Sequence, residues 1–185
     1  MMRRFEAPIR WRPILVGGVF NAVNKGLYAA RESMFNDSDS PRLKYYVKDV
    51  QDWARLCGVR VQMPANHPIS SVKAMRGAFY AQERDLLVPY SQAVFETYWG
   101  NDNPDISSDQ VLTAICKKVG LNTVNFFAAI NDQRYKDLLR HNTEELIARG
   151  GYGSPTIFIN GDDMYFGNDR LELVEYRLRH ILDAG

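Results

Sequence analysis

Cysteine is nearly absent from this chain of 185 residues: Cys57 and Cys116 stand alone, far apart and with no Cys-x-x-Cys pair. That removes the dithiol needed for disulfide exchange. Each cysteine falls on the apolar face of a predicted helix, beside Leu56 and Ile115, and reads as a small buried hydrophobe. An excess of either charge is missing too. The formal net charge is +1 with acidic and basic residues interleaved, which leaves no electrostatic footprint for nucleic acid or an anionic membrane. No apolar run is long enough to cross a bilayer, and Met-Met-Arg-Arg-Phe-Glu at the start lacks the apolar segment of a signal peptide. A cytoplasmic protein is the expectation. Three histidines, His67, His141 and His180, show no metal-ligand spacing, and the last two lie in charged helical stretches where exposure is expected. At this length one domain, or one domain with an insertion, is expected.

What is present is helix, closed by a short β pattern. Pro8 to Val16 alternates Ile9, Trp11 and Pro13 with Arg10 and Arg12, which predicts a strand near a sheet edge. Gly17-Gly18 breaks it, and Val19 to Met34 reads as helix. Ser40 as N-cap and Pro41 at the first helical position open the clearest helix. Leu43, Tyr46, Val47, Val50, Trp53, Ala54 and Cys57 share one of its faces, and Gly58 ends it. Pro64 and Pro68 keep Val59 to Pro68 extended, as a connecting arm. Helical patterns resume over Ser70 to Glu83 and Val88 to Trp99. A Ser107-x-x-Gln110 capping box then opens a helix running to Val119. Two more helices, Thr123 to Ile130 and Gln133 to Arg149, lead to Gly150-Gly151.

The last 36 residues change period. Thr156 to Ile159 and Met164 to Phe166 flank Asn160-Gly161, the dipeptide that supplies two positive-φ positions, and so predict a β-hairpin. Asn168 or Asp169 is the expected N-cap of a final helix in which Leu171, Val174, Leu178, Ile181 and Leu182 recur at helical spacing. Ser154-Pro155, just before the first strand, is a candidate cis bond, which would turn the backbone of Ser154 outward to pair with an extended peptide. Asn168-Asp169 offers helix N-terminal donors and a carboxylate. An ordinary loop turn at Ser154 and a simple cap at Asn168 fit the local chemistry equally well.

Gly-Ser-Pro-Thr-Ile-Phe-Ile (153–159) and Met-Tyr-Phe-Gly-Asn-Asp-Arg-Leu (164–171) resemble the C-terminal half of a thioredoxin-like domain. They are closer still to the 2-hydroxychromene-2-carboxylate isomerases, bacterial relatives of kappa-class glutathione transferases in the DsbA-like superfamily. The resemblance extends from Pro8 to Ile181. It includes Trp-Arg-Pro-Ile-Leu-Val-Gly-Gly-Val-Phe (11–20), Lys-Asp-Val-Gln-Asp-Trp-Ala-Arg-Leu-Cys-Gly (48–58), Pro-Ala-Asn-His (64–67) and Tyr-Trp-Gly (98–100). It implies an α/β fold, a thioredoxin-like sheet with an inserted α-helical domain. Residues 1–18 and 150–185 would form the thioredoxin-like part and 19–149 the insertion. An independent helical bundle with an attached hairpin is the alternative plan.

The same resemblance implies glutathione as cofactor, a small aromatic molecule as substrate and a homodimer. Glutathione would meet the backbone of Ser154 beside Pro155, then Asn168 and Asp169, and also Asn36 and Arg42, where the family has lysine in place of Arg42. Asn36 reads equally as a turn residue and Arg42 as a surface charge. Asn66 and His67 match a segment close to the isomerase substrate, although a histidine beside two prolines also suits a structural role. Tyr98, Trp99, Tyr45 and Tyr46 are candidates for an aromatic pocket, or for core.

The family's Ser-Pro-Tyr or Ser-Pro-Phe motif, whose serine meets the glutathione sulfur, has no counterpart, so no catalytic residue is assigned and the family's first strand is absent. Either the stated start lies downstream of the true one, or the chain is a trimmed paralogue that fills the gap by oligomerising or has lost the activity. The first is favoured because the remaining positions still fit a ligand site. The implied activity is glutathione-dependent isomerisation of a ring-opened aromatic catabolite; kappa-like glutathione transfer and a non-catalytic scaffold or binding paralogue are the alternatives.

Overall fold

The computed structural model describes residues 8–100 and 102–183. The fold is α/β and mostly helical, with a two-stranded antiparallel sheet. In chain order the elements are α1 (Val16–Val23), α2 (Leu27–Asn36), α3 (Pro41–Cys57), α4 (Val72–Gln82) and α5 (Leu87–Phe95), which passes into one turn of π-helix, Glu96–Gly100. Then come α6 (Asp109–Val119), α7 (Thr123–Asn131), α8 (Gln133–Ala148), β1 (Thr156–Ile159), β2 (Asp163–Phe166), a 3₁₀ turn Asn168–Arg170 and α9 (Leu171–Asp183). The chain divides into two compact units, Met1–Lys25 with Arg140–Gly185, and Gly26–Leu139.

The second unit is a helical layer in which α4 packs against α5 and α7, and α5 against α6. Its core is small residues under large rings: Ala74, Ala78 and Ala81 let the helices approach, and Phe126, fully buried, is met by Tyr80 and Tyr90 with ring centroids 5.9 Å away in each case. The Tyr90 hydroxyl donates to the Ala74 carbonyl at 2.9 Å, so the buried phenol is satisfied. In the first unit Val19, Leu146, Ile159 and Val174 are buried.

The helix punctuation of α3 is as the sequence predicts, with Pro41 in the first turn and Gly58 left-handed at φ 66°. Its apolar face is less covered than its pattern suggests: Ala54 is buried, whereas Val47 and Cys57 are exposed. Three other expectations are corrected. Pro8 to Leu15 is no strand, because its groups bond to α8 side chains: Leu15 N–H donates to Thr143 Oγ1 at 3.0 Å, and Asn142 Nδ2 donates to the Pro13 carbonyl. The predicted helix Val19 to Met34 begins earlier, at Val16, and breaks at residues 24–26. The N-cap of α6 is Ser108 without a side-chain bond; the Ser107 N–H is taken instead by Asp105 Oδ1 at 2.8 Å, which replaces the capping box. Among the described residues no helix is long and apolar enough to cross a membrane.

Candidate functional site

The hairpin turns at Asn160 (φ 43°) and Gly161 (φ 105°), the positive-φ pair that the dipeptide supplies. Its register pairs Thr156 with Phe166 and Ile159 with Asp163. One further bond, Gly167 N–H to the Pro155 carbonyl at 3.0 Å, carries the pairing past β1. In an antiparallel pair bonded residues alternate, so the carbonyl of Pro155 and the groups of Ile157 and Ile159 face β2 while those of Thr156 and Phe158 face away from it. Ser154 is exposed, and the Ser154–Pro155 bond is cis.

Gly167 has φ 105° and ψ 157°, a region open to glycine. A Cβ there would meet Asp169 Oδ1 at 2.5 Å, because the carboxylate folds back over the glycine. Asp169 Oδ2 accepts from Arg170 Nη1 at 2.5 Å. This corrects the expected capping: Gly167 is the N-cap of the 3₁₀ turn and no side chain caps it, since Asp169 sits inside the turn and is engaged by its neighbour. Asn168 is exposed. A cleft of about 380 Å³ opens beside this turn, lined by Tyr152, Phe166, Asp169, Arg170 and Leu173 among others. The rings of Tyr152 and Phe166 lie 4.4 Å apart between centroids, giving it an aromatic wall. Ser154, Pro155, Asn168 and Asp169 therefore meet at one end of the hairpin, joined by the Pro155–Gly167 bond. Arg170 and Tyr152 escape a reading of the sequence, although both stand beside residues that such a reading selects.

The other candidates lie in the helical unit. Asn36 ends α2 and Arg42 stands in the first turn of α3, both exposed. Asn66 is exposed in the turn that His67 N–H closes onto the Pro64 carbonyl at 3.1 Å. His67 is half-buried. Its Nδ1 is 2.8 Å from the Tyr98 hydroxyl, and its ring centroid 5.2 Å from that of Trp99. The π turn aims those two aromatics, since one extra residue in a turn rotates the side chains beyond it about the helix axis. The carbonyls that it frees are taken: Gln62 N–H donates to the Trp99 carbonyl at 2.6 Å and Asn103 Nδ2 to the Tyr98 carbonyl at 2.6 Å. Burial raises the pKa of the Tyr98 phenol, and the charge of Asp105 acts in the same direction. Tyr98 is thus buried and Trp99 half-buried beside His67, whereas Tyr45 is exposed and Tyr46 meets Phe35 edge to face. Among the described residues no group of three or more His, Cys, Asp or Glu is placed to hold a metal ion.

A family model for the DSBA-like thioredoxin domain matches residues 2–179. The chain is 31% identical to 2-hydroxychromene-2-carboxylate isomerase of Pseudomonas putida over 135 residues, covering 72% of this chain and 64% of that protein. A second isomerase of that name, from Pseudomonas sp. strain C18, is also 31% identical over 135 residues. The chain spans less than two thirds of the length of either isomerase. It is 23% identical to glutathione S-transferase kappa 2 of Caenorhabditis elegans over 183 residues, 92% of this chain and 78% of that protein. A solved structure of 2-hydroxychromene-2-carboxylate isomerase superposes with a TM-score of 0.76 at 25% identity, covering 98% of this chain and 84% of the other.

Proposed function

The chain belongs to the family of DSBA-like thioredoxin domains, and from that premise we propose that it is a glutathione-dependent isomerase acting on a ring-opened aromatic carboxylate. The observation that carries this reading is the hairpin end itself. An exposed Ser154 at a cis bond and the half-exposed Asp169 carboxylate lie at one end of the hairpin, in a chain that follows the solved isomerase over 98% of its length.

Glutathione is a peptide with an α-ammonium and two carboxylates, and the residues here fit it. The Ser154 N–H and C=O would pair with its backbone as a neighbouring strand does. The Asp169 carboxylate would take the ammonium and the Asn168 amide a carboxylate oxygen. Asn36 and Arg42 would contribute further polar contacts, and Asn66 and His67 would contact the aromatic substrate. Bound glutathione would supply the thiolate nucleophile. Work in the cytoplasm and assembly as a homodimer belong to the same proposal. Kappa-like glutathione transfer is the second reading, favoured by the longer span of the Caenorhabditis elegans relative, 92% of this chain.

Titration of the whole chain with glutathione by calorimetry tests the binding half. A weak complex is expected, in the millimolar range, equivalent to about 4 kcal/mol. Asp169→Ala is expected to weaken it by about tenfold or more, since a charge-assisted bond contributes about 1.5–3 kcal/mol. Equal binding by both forms would remove this reading. Turnover of 2-hydroxychromene-2-carboxylate with and without glutathione tests the chemistry. Conjugation of an electrophile in its place would move the assignment to the transferase.

A further inference from the structure

We propose that Asn160 is a site of self-modification: the Gly161 backbone nitrogen closes on its side-chain amide, and the tip of the hairpin becomes an aspartyl or isoaspartyl linkage. This goes beyond the isomerase reading and does not depend on it.

The step needs an asparagine carboxamide, a following backbone nitrogen free to attack it, and little bulk around that nitrogen. Asn160-Gly161 is the one Asn-Gly pair in the sequence, and glycine puts no side chain beside the attacking atom. Both residues are exposed at the turn. Among the described residues no hydrogen bond engages the Gly161 N–H or the Asn160 carboxamide, so neither has to leave a partner before the ring closes. Asn142 is the contrast. It is 7% exposed, its carboxamide oxygen accepts from Arg12, and its nitrogen donates to the Pro13 carbonyl.

The chemistry balances with water alone. The Gly161 nitrogen bonds to the carbonyl carbon of the Asn160 side chain, its proton passes to the leaving amide nitrogen, and ammonia departs from a cyclic imide. Water then opens the imide at either carbonyl. One opening leaves an ordinary aspartate; the other routes the main chain through the former side chain and lengthens it by a methylene.

The surroundings decide what this does. Arg149 braces the turn: its Nη2 donates to the Gly161 carbonyl at 2.6 Å and its Nε to Asp162 Oδ1 at 3.0 Å, while its guanidinium lies over the Phe158 ring. A methylene inserted just before Gly161 carries that carbonyl off the brace and disturbs the pairing of Ile159 with Asp163 across the turn. The new carboxylate also joins those of Asp162 and Asp163, which Arg149 and Arg177 already hold. The modified hairpin is therefore looser than the native one.

Incubation of the whole chain at mildly alkaline pH, followed by peptide mapping with mass spectrometry and labelling by an isoaspartyl methyltransferase, tests the site. The gain of one mass unit should appear first at Asn160, part of it accepting methyl groups, while circular dichroism shows the chain still folded. An Asn160 that stays intact while another asparagine reacts, or that reacts only in urea, overturns the proposal. Melting curves test the consequence. The aged chain should melt about 2 °C or more below the fresh one, aged Asn160→Gln should keep the Tm of its own fresh form, and fresh Asn160→Asp, which adds the charge without the methylene, should fall less than the aged chain. An unchanged Tm at measured conversion overturns the link to Arg149. Should Asn160→Gln fail to fold, the fresh native chain is the control and the native map alone decides the site.

Discussion

The side-chain oxygen of Asn142 accepts from both Nε and Nη2 of Arg12, at 3.1 and 2.8 Å, across 130 residues of sequence. The amide of the same Asn142 donates to the Pro13 carbonyl at 3.0 Å, and its neighbour Thr143 takes the Leu15 N–H. Arg12 also pairs with Glu145. Residues 12–15 are thereby laced to α8 through side chains, in the manner that strand partners would otherwise supply.

Asn142→Leu tests that lacing. It removes three hydrogen bonds at a position 7% exposed and leaves the Pro13 carbonyl without its donor. The expected loss is about 1–3 kcal/mol, seen as a drop in Tm of about 2–4 °C for each kcal/mol in a chain of this size. An unchanged melting curve would show that the segment is held by something else.

How much of this could be read beforehand depends on whether the deciding signal is local. Pro41 and Gly58 bound α3 and Asn160-Gly161 turns the hairpin, because each acts through its own φ or its own missing N–H. The alternation over residues 8–15 suggests a strand, but a strand needs a partner, and alternation says nothing of Asn142, which takes the Pro13 carbonyl instead. The π turn at Glu96–Gly100 is invisible in composition, since it changes only which carbonyl each N–H reaches. Hence Tyr98 and Trp99 were legible as aromatics, and their meeting with His67 was not. Cys57 was misplaced because a helical apolar face continues in sequence past the point where anything covers it.

Gly77→Ala should be among the most damaging single-methyl changes in the helical unit. A Cβ at that position would run into the Phe126 ring, with Cζ at 2.5 Å, and would meet the Tyr90 hydroxyl at 2.5 Å; both rings are buried. Overpacking of this kind is expected to cost about 1–3 kcal/mol or more. Chemical denaturation measures it, and a variant as stable as the parent would mean that Phe126 has room to move.

Gly167→Ala links fold to ligand. The φ of 105° disfavours any side chain there, and the new Cβ would displace the Asp169 carboxylate that now stands 2.5 Å from that point. The strain amounts to about 1–3 kcal/mol. Glutathione binding should weaken at least as much as in Asp169→Ala, under conditions where circular dichroism shows the variant folded. Full binding in a folded Gly167→Ala chain would separate Asp169 from the ligand.

The two cysteines should part company. Cys57 is exposed and Cys116 fully buried, so a thiol reagent should find one fast-reacting group in the native chain and two after unfolding. Burial pushes the Cys116 thiol from an ordinary 9.0 up to about 11. Below the ordinary value both the folded and the unfolded chain keep this proton, and the group makes no difference to the pH dependence. Between the two values the unfolded chain ionises while the folded chain does not, so stability falls as pH rises, by up to about 1.4 kcal/mol per pH unit from this one group. Tyr90, raised by burial and by the neighbouring Cys116, adds a loss of the same sign at higher pH. Urea midpoints measured from about pH 8 to about pH 10 should therefore decline. In Cys116→Ala the decline should be shallower by about one proton, whatever the cavity does to the absolute stability. An identical slope in the two proteins would mean that the thiolate is tolerated in the core.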